Sequence, residues 1–460
     1  MSTVTTPHRL WRNTRYLTWL VSDTSKGLAA SLFGFAIPLL ALIVTNDPAQ
    51  AGIIGGAGLV ARVLLTLAGG VLADRHRRIV LMLLGSLIGV VLAGAFTLLA
   101  LGDALTFATL LVLDVLLAAR SGLFDVAGES ALKEIVPDEA MGRAQAANQG
   151  RDAALQLAGG PLGGLLLGIG GWLVGAVMTL CHLIAAVTAW MLRRQTARAG
   201  IADTGAQADE DPTGAADTAE SGGTRTAGAA AHRTATRTTD RTEVVRPNAW
   251  QELREGFTWL FARRDLSGLM AILTIVNLGF NAAITTVVYA LQQDGYSELV
   301  IGTLSAAIGA VMLVGAVIAP LLVPRIPAGV LAVSGLAVVA VGAVVLTTVR
   351  EPWAIAIVLG ASVLPLPALN AAMMGYFMVA TPTRLLGRAN SALGVLAMGA
   401  MPFAPLIAGF GLAGLGREGT ILICAALCLI AAGLALGNRA LRGLPVEARW
   451  AAHAARFAND

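Results

Sequence analysis

Charge is scarce in this sequence. Asp, Glu, Lys and Arg make up 13% of its 460 residues, against about 25% in soluble domains. With 56% hydrophobic residues and a mean hydropathy of +0.74, that shortage excludes a soluble globular chain and points to a polytopic membrane protein. Lysine is nearly missing, at Lys26 and Lys133 only, so the basic residues are almost all arginine. The formal net charge of +4 is small and is read as orientation in the membrane, not as nucleic-acid binding. Cysteine is limited to Cys181, Cys424 and Cys428, all in apolar runs. Cys424 and Cys428 lie four apart on one helix face, which suits packing better than a disulfide or a metal site. Histidine occurs five times, and no HExxH, GxSxG or GxxxxGK(S/T) pattern is present. A zinc protease, a serine hydrolase and an ATP-driven pump are therefore disfavoured, and no enzymatic activity, metal or cofactor is expected.

What the sequence has instead is a succession of apolar runs. A helix needs about 20 mostly apolar residues to cross a bilayer. By that rule spans fall at 17–44, 51–73, 79–101, 105–128, 145–168 and 171–192, then at 266–291, 298–323, 328–349, 353–379, 388–413 and 419–440. The fold class is all-α, with twelve transmembrane helices in two sets of six. The first run carries Asp23 and Lys26 and no cleavage pattern, so it reads as a retained span rather than a signal peptide. Trp19, Trp172, Trp190 and Trp353 fall near the expected interfaces, as aromatic belts do.

Residues 195–246 lack Leu, Phe, Trp, Tyr and Met altogether. Such a segment cannot bury enough apolar area to offset its ordering entropy, so a disordered linker is expected there. The organisation that follows is a first bundle at 1–194, the linker at 195–246, an amphipathic interfacial helix at 247–264, a second bundle at 265–442 and a tail at 443–460. The interfacial helix rests on Trp250, Leu253, Phe257, Leu260 and Phe261 at helical spacing.

The loops alternate in charge. One set holds Arg9, Arg12 and Arg15, then Arg75, Arg77 and Arg78, then Lys133 and Arg143, Arg193 and Arg194, Arg325, Arg384 and Arg388, and Arg439 and Arg442. The other set is short and nearly uncharged. The positive-inside rule then places both termini in the cytoplasm of a cell-membrane protein. The richest basic loop reads Gly70-Val-Leu-Ala-Asp-Arg-His-Arg-Arg78. It resembles the loop between helices 2 and 3 of the major facilitator superfamily, roughly G-x-L-A-D-R-x-G-R-R, at Gly70, Leu72, Ala73, Asp74, Arg75 and Arg78. It departs at Arg77 and Ile79. Gly70 is expected to let two helices approach closely, and Asp74 to meet a helix dipole or an arginine.

The two halves also repeat. Gly142-Arg-Ala144 opens span five and Gly387-Arg-Ala389 opens span eleven, 245 residues on, and the same offset carries Gly70 onto Gly315. Span five contains Gly159-Gly160-Pro161-Leu-Gly163-Gly164, which is similar to the G-P-x-x-G-G element of the superfamily's antiporters. A finer resemblance, carried by Trp19-Leu-Val-Ser-Asp23, Ala61-Arg62, Glu129–Pro137 and Gly142–Asn148, is to the macrolide-efflux and enterobactin-exporter branch. Lys133 and Glu134 depart from that branch's usual apolar and proline positions. These resemblances imply the major facilitator fold, a monomer in lipid, a small-molecule substrate and proton coupling in the direction of export.

Charges inside spans are costly in hydrocarbon and so mark function. The first half holds Asp23, Lys26, Arg62, Asp114, Arg120, Asp125, Glu129, Arg151 and Asp152, whereas the second offers Asn277, Asn281, Tyr289, Asn370, Tyr376 and Asn390. Asp23 lies roughly 9 Å into span one, at 1.5 Å per residue, with Lys26 within reach as an ion-pair partner. Asp23 and Asp114 are the candidate proton carriers, with Arg62 and Arg120 as modulating cations. Arg62 is expected to face an acid of span one or four. Asp125 and Glu129 read as a gate near the cytoplasmic end, with Arg151 and Asp152 as their partners. Asn277, Asn281, Asn370, Met374 and Tyr376 are the candidate substrate contacts, with Phe280, Met373 and Phe377 beside them. The expected function is a proton-coupled antiporter exporting a small amphipathic molecule (a drug, macrolide or siderophore). The alternative is a symporter or facilitator that takes up a metabolite.

Overall fold

The computed structural model describes residues 12–209, 254, 257–259, 261–382 and 385–455. Apolar runs with caps at their ends become helices: α1 (Thr14–Thr45), α2 (Pro48–Arg75), α3 (Arg78–Leu101), α4 (Phe107–Ile135), α5 (Asp138–Ile169) and α6 (Gly171–Asp209). Asn13 caps α1 through Oδ1, which accepts from Arg15 N at 3.0 Å and Tyr16 N at 3.3 Å. Asp47 caps α2, with Pro48 in the first turn where its missing N–H costs nothing. The second half has α7 (Arg264–Gln293), α8 (Glu298–Leu322), α9 (Ala328–Val345), α10 (Pro352–Val363), α11 (Leu366–Ala380), α12 (Leu386–Gly399) and α13 (Phe403–Gly437), followed by the short α14 (Arg439–Arg442) and α15 (Trp450–Ala454).

Eleven stretches of the described residues are long and apolar enough to cross a membrane. Twelve crossings nevertheless result. Span ten is α10 and α11 interrupted at Leu364–Pro365. Span eleven is α12 plus the start of α13, and α13 turns back at Gly416, whose φ of +68° only glycine adopts readily. The expected all-α architecture of twelve helices in two sets of six is what the chain adopts.

Two local expectations meet a different outcome. Helix α6 runs on to Asp209, so residues 195–209 of the expected linker are helical; the sequence there is rich in alanine. The rest of that linker lies outside the described residues, as does most of the interfacial helix, although Phe257–Trp259 are helical and Phe257 stacks on Phe261. Trp19 is not a belt residue: it is 1% exposed and its Nε1 donates to the Gly128 carbonyl at 2.9 Å.

Small residues decide how the helices meet. A Cβ at Gly69 would strike the Gly122 and Leu123 backbone of α4, while nothing lies within 4 Å of one at Gly70. The close approach expected of Gly70 thus belongs to its neighbour, because α2 presents the 69 position to α4 and turns the next away. The second half repeats this crossing at Gly315, which abuts Leu364 O and Pro367 of span ten.

The halves join along two seams. In one, Gly160 and Gly164 of α5 lie against Gly302 and Glu298 of α8; in the other, Gly52 and Gly56 of α2 lie against Pro402, Pro405 and Gly409 of span eleven. The 245-residue offset carries Gly160 onto Pro405 and Gly164 onto Gly409, so the two seams are one contact made twice. Both lie toward the sparsely charged face, the side of the Thr45–Pro48 and Ile169–Gly171 turns. Beyond Gly160 toward the arginine-rich face, the same line of α5 carries Gln156, Asp152, Gln149 and Gln145, all exposed. A polar stripe at membrane depth requires water, so the halves part there and the cleft opens to the basic face.

Candidate functional site

Beneath the seams lies a cavity of about 380 Å³. Its first-half wall includes Phe33, Gly58, Arg62, Asp114, Arg120 and His182; its second-half wall includes Ile284, Thr285, Val288, Tyr289 and Ser305.

Asp114 lies two turns into α4 and is 4% exposed. A side chain at Gly58 would occupy the space its carboxyl fills, so the glycine of α2 is what admits the acid. The Asp114 Oδ2 is buried with no hydrogen-bond partner, and no cation stands within ion-pair distance among the described residues. Among the described residues it is the only acid in the cavity wall.

Asp23 stands differently. Lys26 Nζ is 3.0 Å from its Oδ1 and Arg151 Nη2 is 2.8 Å from its Oδ2. The three side chains are 14% exposed or less. Arg151 also reaches Asp152 at 2.8 Å and lies 5.8 Å from the centre of the Trp19 ring. Both oxygens of Asp23 are engaged by cations, and a proton arriving there has to displace a charge-assisted bond. The expected Asp23–Lys26 pair is present. Arg151 joins Asp23, not the Asp125 cluster expected for it, because α5 packs directly on α1.

Asp125 instead accepts from Ser121 Oγ at 2.5 Å and faces Arg120 Nη1 at 3.6 Å. Arg120 is 6% exposed and also donates to the Gly85 carbonyl at 3.4 Å. Arg62, expected against an acid of span one or four, is exposed in the cavity wall, and among the described residues no carboxylate stands within ion-pair distance of it. The side chains of Asp74 and Glu129 lie outside what the structure describes. Arg75 is exposed at the last turn of α2 and Arg78 opens α3.

The span-five glycines work on two sides. Gly159 and Gly163 abut Ser31 and Phe35 of α1, and Gly160 and Gly164 abut α8. Pro161 lies between them, inside the helix.

The second-half candidates fare less well, since none of the five lines the cavity. Asn281 Nδ2 donates to the Asn277 carbonyl one turn back at 2.8 Å. Thr285, a turn further along α7, is the residue that reaches the cavity. Asn370 and Met374 are exposed on α11. Tyr376 is fully buried and its hydroxyl meets His453 Nδ1 at 3.0 Å, so it anchors the C-terminal segment. Two residues come forward in their place. His182 is 2% exposed, its Nδ1 buried without a partner. Tyr289 is fully buried, its hydroxyl equally unpartnered.

Among the described residues, no group of three or more His, Cys, Asp or Glu is placed to hold a metal ion.

A family profile described as Major Facilitator Superfamily matches residues 24–405. No curated protein matches the chain. Among solved structures, the chain is similar to the bacterial homologue of the iron transporter ferroportin in an inward-facing state, with a TM-score of 0.64 at 14% identity, over 92% of this chain and 97% of that one. It is also similar to a bacterial metal transporter, with a TM-score of 0.59 at 13% identity, over 94% and 99%.

Proposed function

The chain belongs to the Major Facilitator Superfamily, and from that premise we propose that this secondary transporter is a proton-coupled antiporter that exports a small amphipathic organic molecule. The observation that carries the reading is the Asp114 carboxyl, buried in the cavity wall with an unsatisfied oxygen and no counter-ion. An unpaired buried carboxylate costs several kcal/mol, and that cost falls when it takes a proton or a ligand group. Proton and cargo therefore compete for one atom, which is the requirement of antiport. Asp23 is held by two cations and takes the structural role.

The arginine-rich loops favour a cytoplasmic basic face with both termini inside. The cleft then opens inward, ready to receive cargo from the cell. The span-five glycines support export through their resemblance to the G-P-x-x-G-G element of the superfamily's antiporters, and they let α5 lie close to both α1 and α8. At about 380 Å³, the cavity lies at the small end of ligand pockets, which run from about 300 to 1,000 Å³. That favours a compact amphipath over a macrolide or a siderophore. The two similar structures are metal transporters by title; at 14% and 13% identity the likeness carries the fold and leaves the cargo to this chain's own residues.

The test is a proton-flux assay in proteoliposomes loaded with a pH-sensitive dye, with candidate amphipaths added across an imposed gradient. Substrate-triggered proton release that disappears in Asp114→Asn is the expected result. Flux that survives in that variant would remove Asp114 as the carrier. Proton movement in the same direction as the cargo would replace export by uptake.

A further inference from the structure

Four residues of the cavity wall, Asp114, Arg120, His182 and Tyr289, carry a buried polar atom without a partner, and two of these atoms come from opposite halves and meet the same helix. Asp114 Oδ2 belongs to α4 and the Tyr289 hydroxyl to α7. Both meet α2 on one face. The Asp114 carboxyl fills the space at Gly58, and the Tyr289 hydroxyl lies 4.0 Å from where a Cβ of Gly55 would stand. Gly55 and Gly58 are three residues apart, hence neighbours on the helix surface. A side chain at Gly58 would overlap the acid, and a Cβ at Gly55 would press on Pro405 at 3.3 Å with the phenol in van der Waals contact beyond it, so the two glycines form a bare floor beneath both groups.

A buried hydroxyl or carboxyl oxygen left unsatisfied carries its full desolvation penalty. Such a penalty at two neighbouring atoms, in a cavity that is otherwise largely apolar, is removed by one ligand that satisfies both. We propose that Tyr289 is the specificity-determining residue of the C-terminal half, and that with Asp114 it holds one polar group of the cargo across the two halves. The ionised Asp114 only accepts, so the cargo presents an N–H or O–H donor to it. The phenol both donates and accepts, so it takes a hydroxyl or carbonyl next to that donor. The cargo class is a small, mostly apolar molecule with an adjacent amine and hydroxyl. Because the two groups ride on different halves, cargo bound between them draws the halves together over the site.

This inference rests on the reading of Asp114 as the site shared by proton and cargo, but it has its own readout. The full-length protein in detergent is titrated with two matched probes, 2-amino-1-phenylethanol and 2-phenylethylamine, which differ by one hydroxyl. Wild type should bind the amino alcohol about tenfold more tightly, the equivalent of about 1.4 kcal/mol. Tyr289→Phe should bind the two probes equally, and a melting temperature close to that of wild type shows that the variant is folded. Asp114→Asn should weaken both probes alike. Discrimination that persists in Tyr289→Phe overturns the proposal, as does equal binding of the two probes by wild type or no binding of either at millimolar concentration. Failure of the transport reading registers elsewhere, as proton flux surviving in Asp114→Asn.

Discussion

Replacing Gly302 by alanine should unseat the closed face of the molecule. The added methyl group would overlap the Gly160 carbonyl and press on Pro161 Cα at 3.2 Å. These are backbone atoms of a helix and cannot turn aside as a side chain would. Overpacking of this kind costs about 1–3 kcal/mol, and it is felt only while α5 and α8 touch. The same amount is a shift of about 5- to 150-fold in a two-state population. A state open on the sparsely charged face, if held at about 1%, would rise to between roughly 5% and 60%. Spin labels at Ala104→Cys and Ser297→Cys, both exposed on that face, report the separation of the halves. The native cysteines are 6% exposed or less and should not react. Gly394→Ala is the control, since nothing lies within 4 Å of its Cβ. A distance distribution for Gly302→Ala that overlays the control would refute the claim that this seam closes the molecule.

Other perturbations follow from the same packing. Asp23→Asn leaves Lys26 and Arg151 without their shared carboxylate and should cost about 3 kcal/mol, read as a fall in melting temperature; Asp114→Asn removes no ion pair and should melt no lower than wild type. Gly69→Ala should destabilise through its clash with the Gly122 and Leu123 backbone, while Gly70→Ala should be neutral; equal melting of the two would overturn the assignment of the α2–α4 crossing. Trp450 lies against Gly375 and edge-on to Tyr376 at 6.5 Å. Trp450→Ala should therefore raise hydrogen exchange in Leu366–Ala380, with Tyr376→Phe giving a smaller rise from the lost bond to His453.

The membrane topology was legible because hydropathy counts residues without needing to know their neighbours. Run lengths placed all twelve crossings, including the turn at Gly416 between the last two, although the break at Leu364–Pro365 leaves no clear mark in an average over a window. The internal repeat was legible too, and its 245-residue offset proved to relate the two seams. Side-chain facing was not. In a span that is apolar all round, no amphipathic period tells which residue meets the cavity. The close approach expected of Gly70 therefore falls to Gly69, and the cavity position expected of Asn281 to Thr285. Tyr289 stands out in the sequence only as a polar residue in an apolar run, while Tyr376 is the tyrosine expected to meet substrate; tertiary packing satisfies the Tyr376 hydroxyl and strands that of Tyr289. His182 gave no signal at all, being one imidazole among hydrophobic neighbours. Asp23 and Asp114 looked alike in sequence because the partner that distinguishes them, Arg151, lies more than a hundred residues from the first.

On the antiport proposed above, the single acid among the described residues of the cavity wall also sets a thermodynamic ceiling. A transporter that titrates one carboxyl per cycle moves one proton per cycle. Each 100 mV of proton-motive force then supplies about 2.3 kcal/mol, which sustains a concentration ratio of about fifty for an uncharged cargo. A second titrating acid would square that ratio, and among the described residues the cavity wall holds none. The steady-state gradient of cargo, measured against an imposed proton-motive force, therefore counts the acids that take part in the cycle.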